Sequence, residues 1–322
     1  MTDFNELLAS SELPSELILS EDDALTLFKM HKGLLKENER NKAFWRSTNE
    51  NLALATSELD NTNQELRRLR DQLWGEMQLA KKIQTVLLPE RTDIDGYQVT
   101  AHMKPADEVG GDYYDIINTE SGDWIAIGDV SGHGVSAGLV MMMAQTSIRV
   151  ALSQHEDISP SRLLSVVNRV IYDNIRKLND NQYMTMMVMA VLENGSFVYS
   201  GLHQDLFVYR CQSDTVERIE SKGTWLGLVP DIGKLIEDYR FSLDVGDVTL
   251  LYTDGITEAA AKQTAMPRRK SSSTMFGEDR LMAILKETGP RPTTEIRDGI
   301  IAGLSDYDCD DDISMVVVKR VE

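Results

Sequence analysis

VGGDYYD at 109–115 and IAIGDVSGHG at 125–134 decide how this chain is read. Each places aspartate beside glycine at the end of a short run rich in β-branched and aromatic residues, the signature of adjacent strands closed by tight turns. Asp112 and Asp115 stand in the first cluster and Asp129 in the second, and Gly110, Gly111, Gly128, Gly132 and Gly134 leave room for backbone to approach a ligand. Two more acidic turns follow far downstream, Asp254 in LLYTDGITE and Asp310, Asp311 and Asp312 in CDDDISMVVV. A single Asp-Gly turn is an ordinary polar turn. Four such clusters at strand ends argue for convergence on a pair of hard divalent cations, because Mg²⁺ and Mn²⁺ prefer oxygen ligands and carboxylates on separate strands can hold two of them close together. A pair of that kind activates water and offsets charge on a phosphoryl group.

Around these turns the chain reads as strands: YQVTAHM, DYYDIIN, DWIAIGDV, YMTMMVMAVLE, SFVYSGL, LFVYR, VERIE, YRFSL, DVTLLYTDG and ISMVVVKRV. Asn194-Gly195 between two of them is a hairpin signal. Helices are expected at Val135–Ser153, from Ser159-Pro160 through Leu178, at Gly277–Glu287 and at Thr293–Leu304. The pattern predicts an α+β fold of two stacked antiparallel sheets flanked by helices over residues 91–322. The basic, serine-rich stretch MPRRKSSST, 266–274, reads as a mobile loop.

Upstream the texture is helical. Residues 1–44 read as a regulatory region of short helices with breaks around Pro14 and Gly33, and Ser20 as an N-cap before Glu21, Asp22 and Asp23. From 45 to 90 a seven-residue repeat sets in: Trp45, Leu52, Leu59, Leu66, Leu73, Ala80 and Leu87 are all apolar, while the second seam is mixed. That repeat predicts a coiled-coil linker, and with it a parallel homodimer, ended by Pro89. The competing expectation is a single amphipathic helix docked on the domain that follows.

Composition narrows the class. The 322 residues carry 42% hydrophobic and 26% charged side chains, ordinary for a globular protein, but a net charge of −19. Such acidity disfavours nucleic acid and anionic membrane as partners. Two cysteines without a CxxC pair, an acidic N-terminus and apolar runs too short to span a bilayer point to a cytoplasmic protein. Other phosphate chemistries fail on spacing. Neither Cys211 nor Cys309 is followed by arginine at Cys-x5-Arg, there is no Walker A motif, GDYYD lacks the histidines of binuclear phosphoesterases, and 308–319 lacks the glycine and glutamate of a calcium loop.

Residues from about Leu79 to Glu322 resemble the RsbU/SpoIIE-type branch of the metal-dependent (PPM, type-2C) serine/threonine protein phosphatases. The resemblance is carried by AKKIQTVLLPE, VGGDYYD, IAIGDVSGHGVSAGLVM, the Tyr183–Val191 strand, LYTDGITEA, FGEDRL and DDDISMVVV, in the family's order. It implies a β-sandwich with a centre of two Mn²⁺ or Mg²⁺ and hydrolysis of phosphoserine or phosphothreonine. Asp112 and Asp129 match the metal-bridging acids, the Val130 carbonyl a backbone ligand, and Asp254 and Asp311 the later ligands, with Asp312 and Asp115 in reserve because adjacent acids leave the register open. Gly132 shapes the turn, and His133 and Lys104 are additional candidates for proton donation and phosphate contact. Where the branch often has Gly-His-x-Pro, this chain has Gly201-Leu202-His203-Gln204-Asp205. The implied substrate is a phosphorylated STAS-domain anti-sigma-factor antagonist in a partner-switching pathway, with an upstream activator acting on the N-terminal region. A scaffold protein with a silent acidic centre and a hydrolase of small phosphoesters are the alternatives.

Overall fold

The computed structural model describes residues 20–89, 93–155, 157–178, 181–262 and 275–322. The chain divides into two compact units, Met1–Leu73 and Trp74–Glu322. The first is represented by helix α1, Glu21–Leu87, whose last turns belong to the second unit. Ser20 caps α1 as its sequence predicts, its hydroxyl accepting the Asp23 amide at 3.3 Å. The expected break at Gly33 does not occur. An isolated glycine costs a helix only about 1 kcal/mol, and strong helix formers flank this one. Pro14 and the stretch 266–274, expected to be a loop, lie outside the described residues. Leu52, Leu59, Leu66 and Leu73 all remain about 60% exposed along α1.

The second unit is built on two five-stranded antiparallel sheets. One has the order β2-β3-β4-β5-β8, comprising Tyr113–Thr119, Gly122–Val130, Met184–Val191, Ser196–Ser200 and Tyr239–Ser242. The other has the order β1-β12-β9-β6-β7, comprising Tyr97–Lys104, Ile313–Arg320, Val248–Tyr252, Leu206–Arg210 and Thr215–Ile219. A two-residue ladder, β10 (Ala260–Ala261) with β11 (Tyr307–Asp308), was too short to be read from the sequence. Asn194 and Gly195 both take positive φ, 58° and 75°, between β4 and β5, as the hairpin signal requires.

Strand parity explains the layering. On β3, Ile125 and Ile127 point between the sheets while Trp124 and Ala126 point outward, and on β4 Met187 and Met189 alternate with Met186 and Val188 in the same way. The outward face of that sheet is covered by α2 (Val135–Gln154) and α3 (Pro160–Leu178), through Ala137, Val140, Met141, Leu163, Val167 and Ile171. On the other sheet, Phe207, Leu250, Met315 and Val317 face α5 (Glu278–Thr288) and α6 (Thr293–Gly303). A single-turn helix, α4 (Asp254–Thr257), follows β9. Among the described residues α2 is the one helix long and apolar enough to cross a membrane, and half of it is buried in this core. Fully burying each such side chain stabilises the fold by roughly 1.5–3 kcal/mol, so strand order and register are set by apolar packing. The acids sit where that packing stops.

Candidate metal centre

The four acidic turns meet at one end of the sandwich. Asp112 immediately precedes β2, and Asp129 is the penultimate residue of β3, which pairs antiparallel to β2 with Tyr113 opposite Gly128. In the facing sheet Asp254 follows β9, and Asp311 and Asp312 precede β12, with Met315 opposite Tyr252. Close backbone approach makes this possible. A Cβ on Gly110 would overlap the Asp312 carboxylate, one on Gly255 the Asp312 carbonyl, and one on Gly111 would press on the Val130 carbonyl.

Neutral donors organise the cluster. Asp112 is buried, and its Oδ2 accepts a hydrogen bond from Thr253 Oγ1 at 2.8 Å. Thr253 Oγ1 in turn accepts the Ser314 amide at 3.0 Å, which ties β2, β9 and β12 at one point. Asp312 is also buried. Its Oδ1 accepts the Ala106 amide at 2.7 Å and its Oδ2 the Asp112 amide at 3.2 Å, so this carboxylate grips the loop that leads to Asp112. Asp311 is exposed and accepts the Asp312 amide at 2.8 Å.

The charges are unbalanced. Among the described residues, no lysine, arginine or histidine forms an ion pair with Asp112, Asp129, Asp254, Asp311 or Asp312. Burial, reinforced by the carboxylates of Asp254, Asp311 and Asp312, pushes Asp129 up to about 8. Burial, with Glu258 and Asp311 beside it, raises Asp254 to about 6. Asp112 is driven well above the ordinary carboxylate range, first by burial and then by Asp129. As they stand, no three acidic, histidine or cysteine side chains among the described residues converge tightly enough to grip an ion. Hard oxygen donors, an excess of negative charge and no basic ion-pair partner among the described residues fit divalent cations.

The reserve candidates separate from this group. Asp115 is three residues from Asp112 on a strand and so faces the opposite side. Its carboxylate is fully buried and accepts a bidentate pair from Arg149 of α2, at 2.8 and 3.0 Å, with Tyr113 and the Ile116 amide also donating. Asp115 is thereby committed to joining β2 to α2. His133 is exposed and pairs through Nδ1 with Asp107 at 2.6 Å. Lys104 lies opposite Ile313 at the end of β1 and lines an open cleft with Lys262, Cys309 and Asp310. Gly132 and Gly134 take φ of 86° and 82°, which shapes the turn after Asp129.

Sequence reasoning assigns no role to Thr253 or to His203. Thr253 is inconspicuous inside LLYTDG, although a hydroxyl at an otherwise apolar strand end is a signal. His203 donates Nε2–H to the Tyr252 carbonyl at 3.0 Å and meets Thr185 Oγ1 through Nδ1 at 2.9 Å. Gln84, inside a segment that the sequence did single out, is the one buried residue of α1. Its amide donates to the Gly110 carbonyl at 2.9 Å and accepts the Gly110 amide at 3.2 Å. Lys81 and Gln78 both reach Glu108, at 3.0 and 2.9 Å.

Comparison with known proteins agrees with this architecture. The family profile of Stage II sporulation protein E (SpoIIE) matches residues 120–321, a span that takes in Asp129, Asp254, Asp311 and Asp312. Phosphoserine phosphatase RsbU of Bacillus subtilis is 27% identical over 266 residues, covering 80% of this chain and 74% of that protein. Among solved structures, the SiaA-PP2C domain of Pseudomonas aeruginosa superposes with a TM-score of 0.65 at 21% identity, covering 78% of this chain and 98% of that domain. The RsbU and RsbW domains of a Mycobacterium tuberculosis protein give 0.57 at 22% identity, covering 70% of this chain and 60% of that one. These likenesses establish the PP2C fold.

Proposed function

The chain belongs to the SpoIIE family, and on that premise we propose that it is a metal-dependent protein serine/threonine phosphatase acting on a phosphorylated STAS-domain antagonist. The observation that carries this reading is the cluster of five carboxylates from the strand ends of both sheets, with no basic partner among the described residues. Asp112, Asp129, Asp254 and Asp311 are the proposed side-chain ligands of two Mn²⁺ or Mg²⁺, with the Val130 carbonyl beside them. When bound, the cations supply Lewis acidity toward water and the phosphoryl group. The protein's own part is positional. Thr253 orients Asp112, and Asp312 holds the loop 106–112 by two backbone amides, so its role is closer to a clamp than to a ligand.

Regulation is proposed to enter through α1. Gln84 brackets Gly110 by both backbone groups, two residues from Asp112, so any movement of this end of α1 moves the loop carrying that acid. An activator acting on the N-terminal region, or rearrangement of a homodimer paired through residues 45–90, would work at this contact. We place the protein in the cytoplasm, in line with its similarity to RsbU.

The test is phosphate release from a phosphoserine STAS-domain protein with Mn²⁺, with chelator, and with Asp129→Asn or Asp254→Asn. The expected result is metal-dependent release that either substitution lowers at least about 100-fold. Equal rates on a free phosphoester would instead favour a small-molecule hydrolase. Silence in the presence of bound Mn²⁺, also in a chain beginning at Trp74, would favour a scaffold.

A further inference from the structure

His203 stands where the branch often has a Gly-His-x-Pro turn and this chain has Gly201-Leu202-His203-Gln204-Asp205, and its ring joins the two sheets at the level of the acidic cluster. The turn is built to present it. Gly201 takes a φ of 111° where a Cβ would overlap the Met186 carbonyl, the His203 amide donates to Ser221 Oγ at 2.6 Å, and Asp205 accepts the Ser221 amide at 2.7 Å. From there the ring reaches in two directions. Toward one sheet, Nε2 meets the Tyr252 carbonyl at 3.0 Å, two residues before Asp254. Toward the other, Nδ1 meets Thr185 Oγ1 at 2.9 Å, and Thr185 lies directly opposite Asp129 in the β3–β4 register.

The donor assignment follows from chemistry. A carbonyl only accepts, so Nε2 carries the proton. Burial holds the imidazole's pKa down at about 4, so the ring is neutral and Nδ1 is an acceptor. The Thr185 hydroxyl therefore donates to Nδ1, leaving the longer approach to the Asp129 carbonyl, 3.3 Å, secondary. Both ends of the ring are used, each on the backbone or neighbour of a different acid-bearing strand end.

We infer that His203 is a positioning residue that fixes the separation between the strand ends carrying Asp129 and Asp254. It touches neither carboxylate and takes no part in bond making. It acts as a strut of fixed length between the two sheets, beside the Asp112–Thr253 and Asp112–Asp312 links at this end. The inference rests on the metal-centre reading above, since it assigns His203 a role in the fit of that centre.

The experiment is Mn²⁺ binding by full-length protein, measured by electron paramagnetic resonance alongside thermal melting without metal, for wild type, His203→Ala, His203→Gln and Thr185→Val. The expected result is a loss of Mn²⁺ affinity of about tenfold or more in His203→Ala, a smaller loss in the same direction in Thr185→Val, and partial recovery in His203→Gln, whose amide nitrogen can reach the Tyr252 carbonyl. Unchanged Mn²⁺ affinity in His203→Ala overturns the inference, even if that variant melts earlier. If His203→Ala does not fold, an unchanged affinity in Thr185→Val overturns it instead. Failure of the wild-type protein to bind Mn²⁺ overturns the metal-centre reading, and this inference falls with it; loss confined to the variants supports both.

Discussion

Held between Thr185 and the Tyr252 carbonyl, the His203 imidazole resists protonation until about pH 4, whereas in the unfolded chain an ordinary imidazole titrates near 6.5. Between these values the unfolded state binds a proton that the folded state refuses. The contribution is therefore intact above about pH 6.5 and is lost as the pH falls toward 4, by on the order of 3 kcal/mol in total. His203→Gln is expected to flatten that part of the stability profile relative to wild type, as read by urea unfolding at a series of pH values; parallel profiles would refute it. The loss of phosphate release in Asp129→Asn and Asp254→Asn is the matching expectation for the acids. At this scale legibility was uneven. Asp112, Asp129 and Asp254 stand beside glycine at strand ends and Asp311 in a run of three acids before a strand, and they announce themselves because four such clusters in one chain are more than ordinary polar turns require. Asp115 looked like one of them, and only strand parity separates it. Its partner Arg149 lies on a helix 34 residues away, where no local pattern could point to it. His203 was visible in a turn that departs from a family motif, but its two partners, on β4 and at the end of β9, become neighbours only when the sheets stack.

At the scale of elements, α1 poses two separate questions. Its C-terminal turns hold Gly110 through Gln84, and Gln84→Ala leaves the Gly110 amide and carbonyl unpaired, a local cost of about 1–3 kcal/mol. Phosphate release is expected to fall roughly tenfold, and amide hydrogen exchange to rise at 106–112; unchanged exchange there would remove Gln84 from the regulatory contact. Farther upstream, the exposed leucine seam is expected to support self-association. Leu59→Glu with Leu66→Glu places two carboxylates in that seam and is expected to weaken dimerisation by on the order of 100-fold, measured by sedimentation equilibrium. A wild-type chain that sediments as a monomer at high concentration would overturn the coiled-coil proposal. The strands and long helices were legible because period-two and 3.6-residue patterns are strong over five residues or more. The ladder β10–β11 offers only two residues a side, too few for a period, and the expected break at Gly33 overestimated a penalty that neighbouring helix formers absorb.

For the whole molecule, the division at Leu73 and Trp74 predicts that a chain beginning at Trp74 folds by itself and binds Mn²⁺ like the full-length protein, with a melting temperature within a few degrees. A fragment that aggregates or melts without cooperativity would show the second unit to depend on the first. The order of strands has a further consequence. β1 pairs with β12 along its whole length, from Tyr97 opposite Arg320 to Lys104 opposite Ile313, and β12 also brings Asp311 and Asp312. One sheet thus cannot close, nor the acidic centre assemble, until almost the entire second unit has been translated. At ordinary synthesis rates that is a delay on the order of tens of seconds after β1 emerges. Through that interval a nascent chain already displays its long helix while possessing no chemistry at all. A partner that meets α1 on the ribosome therefore meets it before there is anything to switch on.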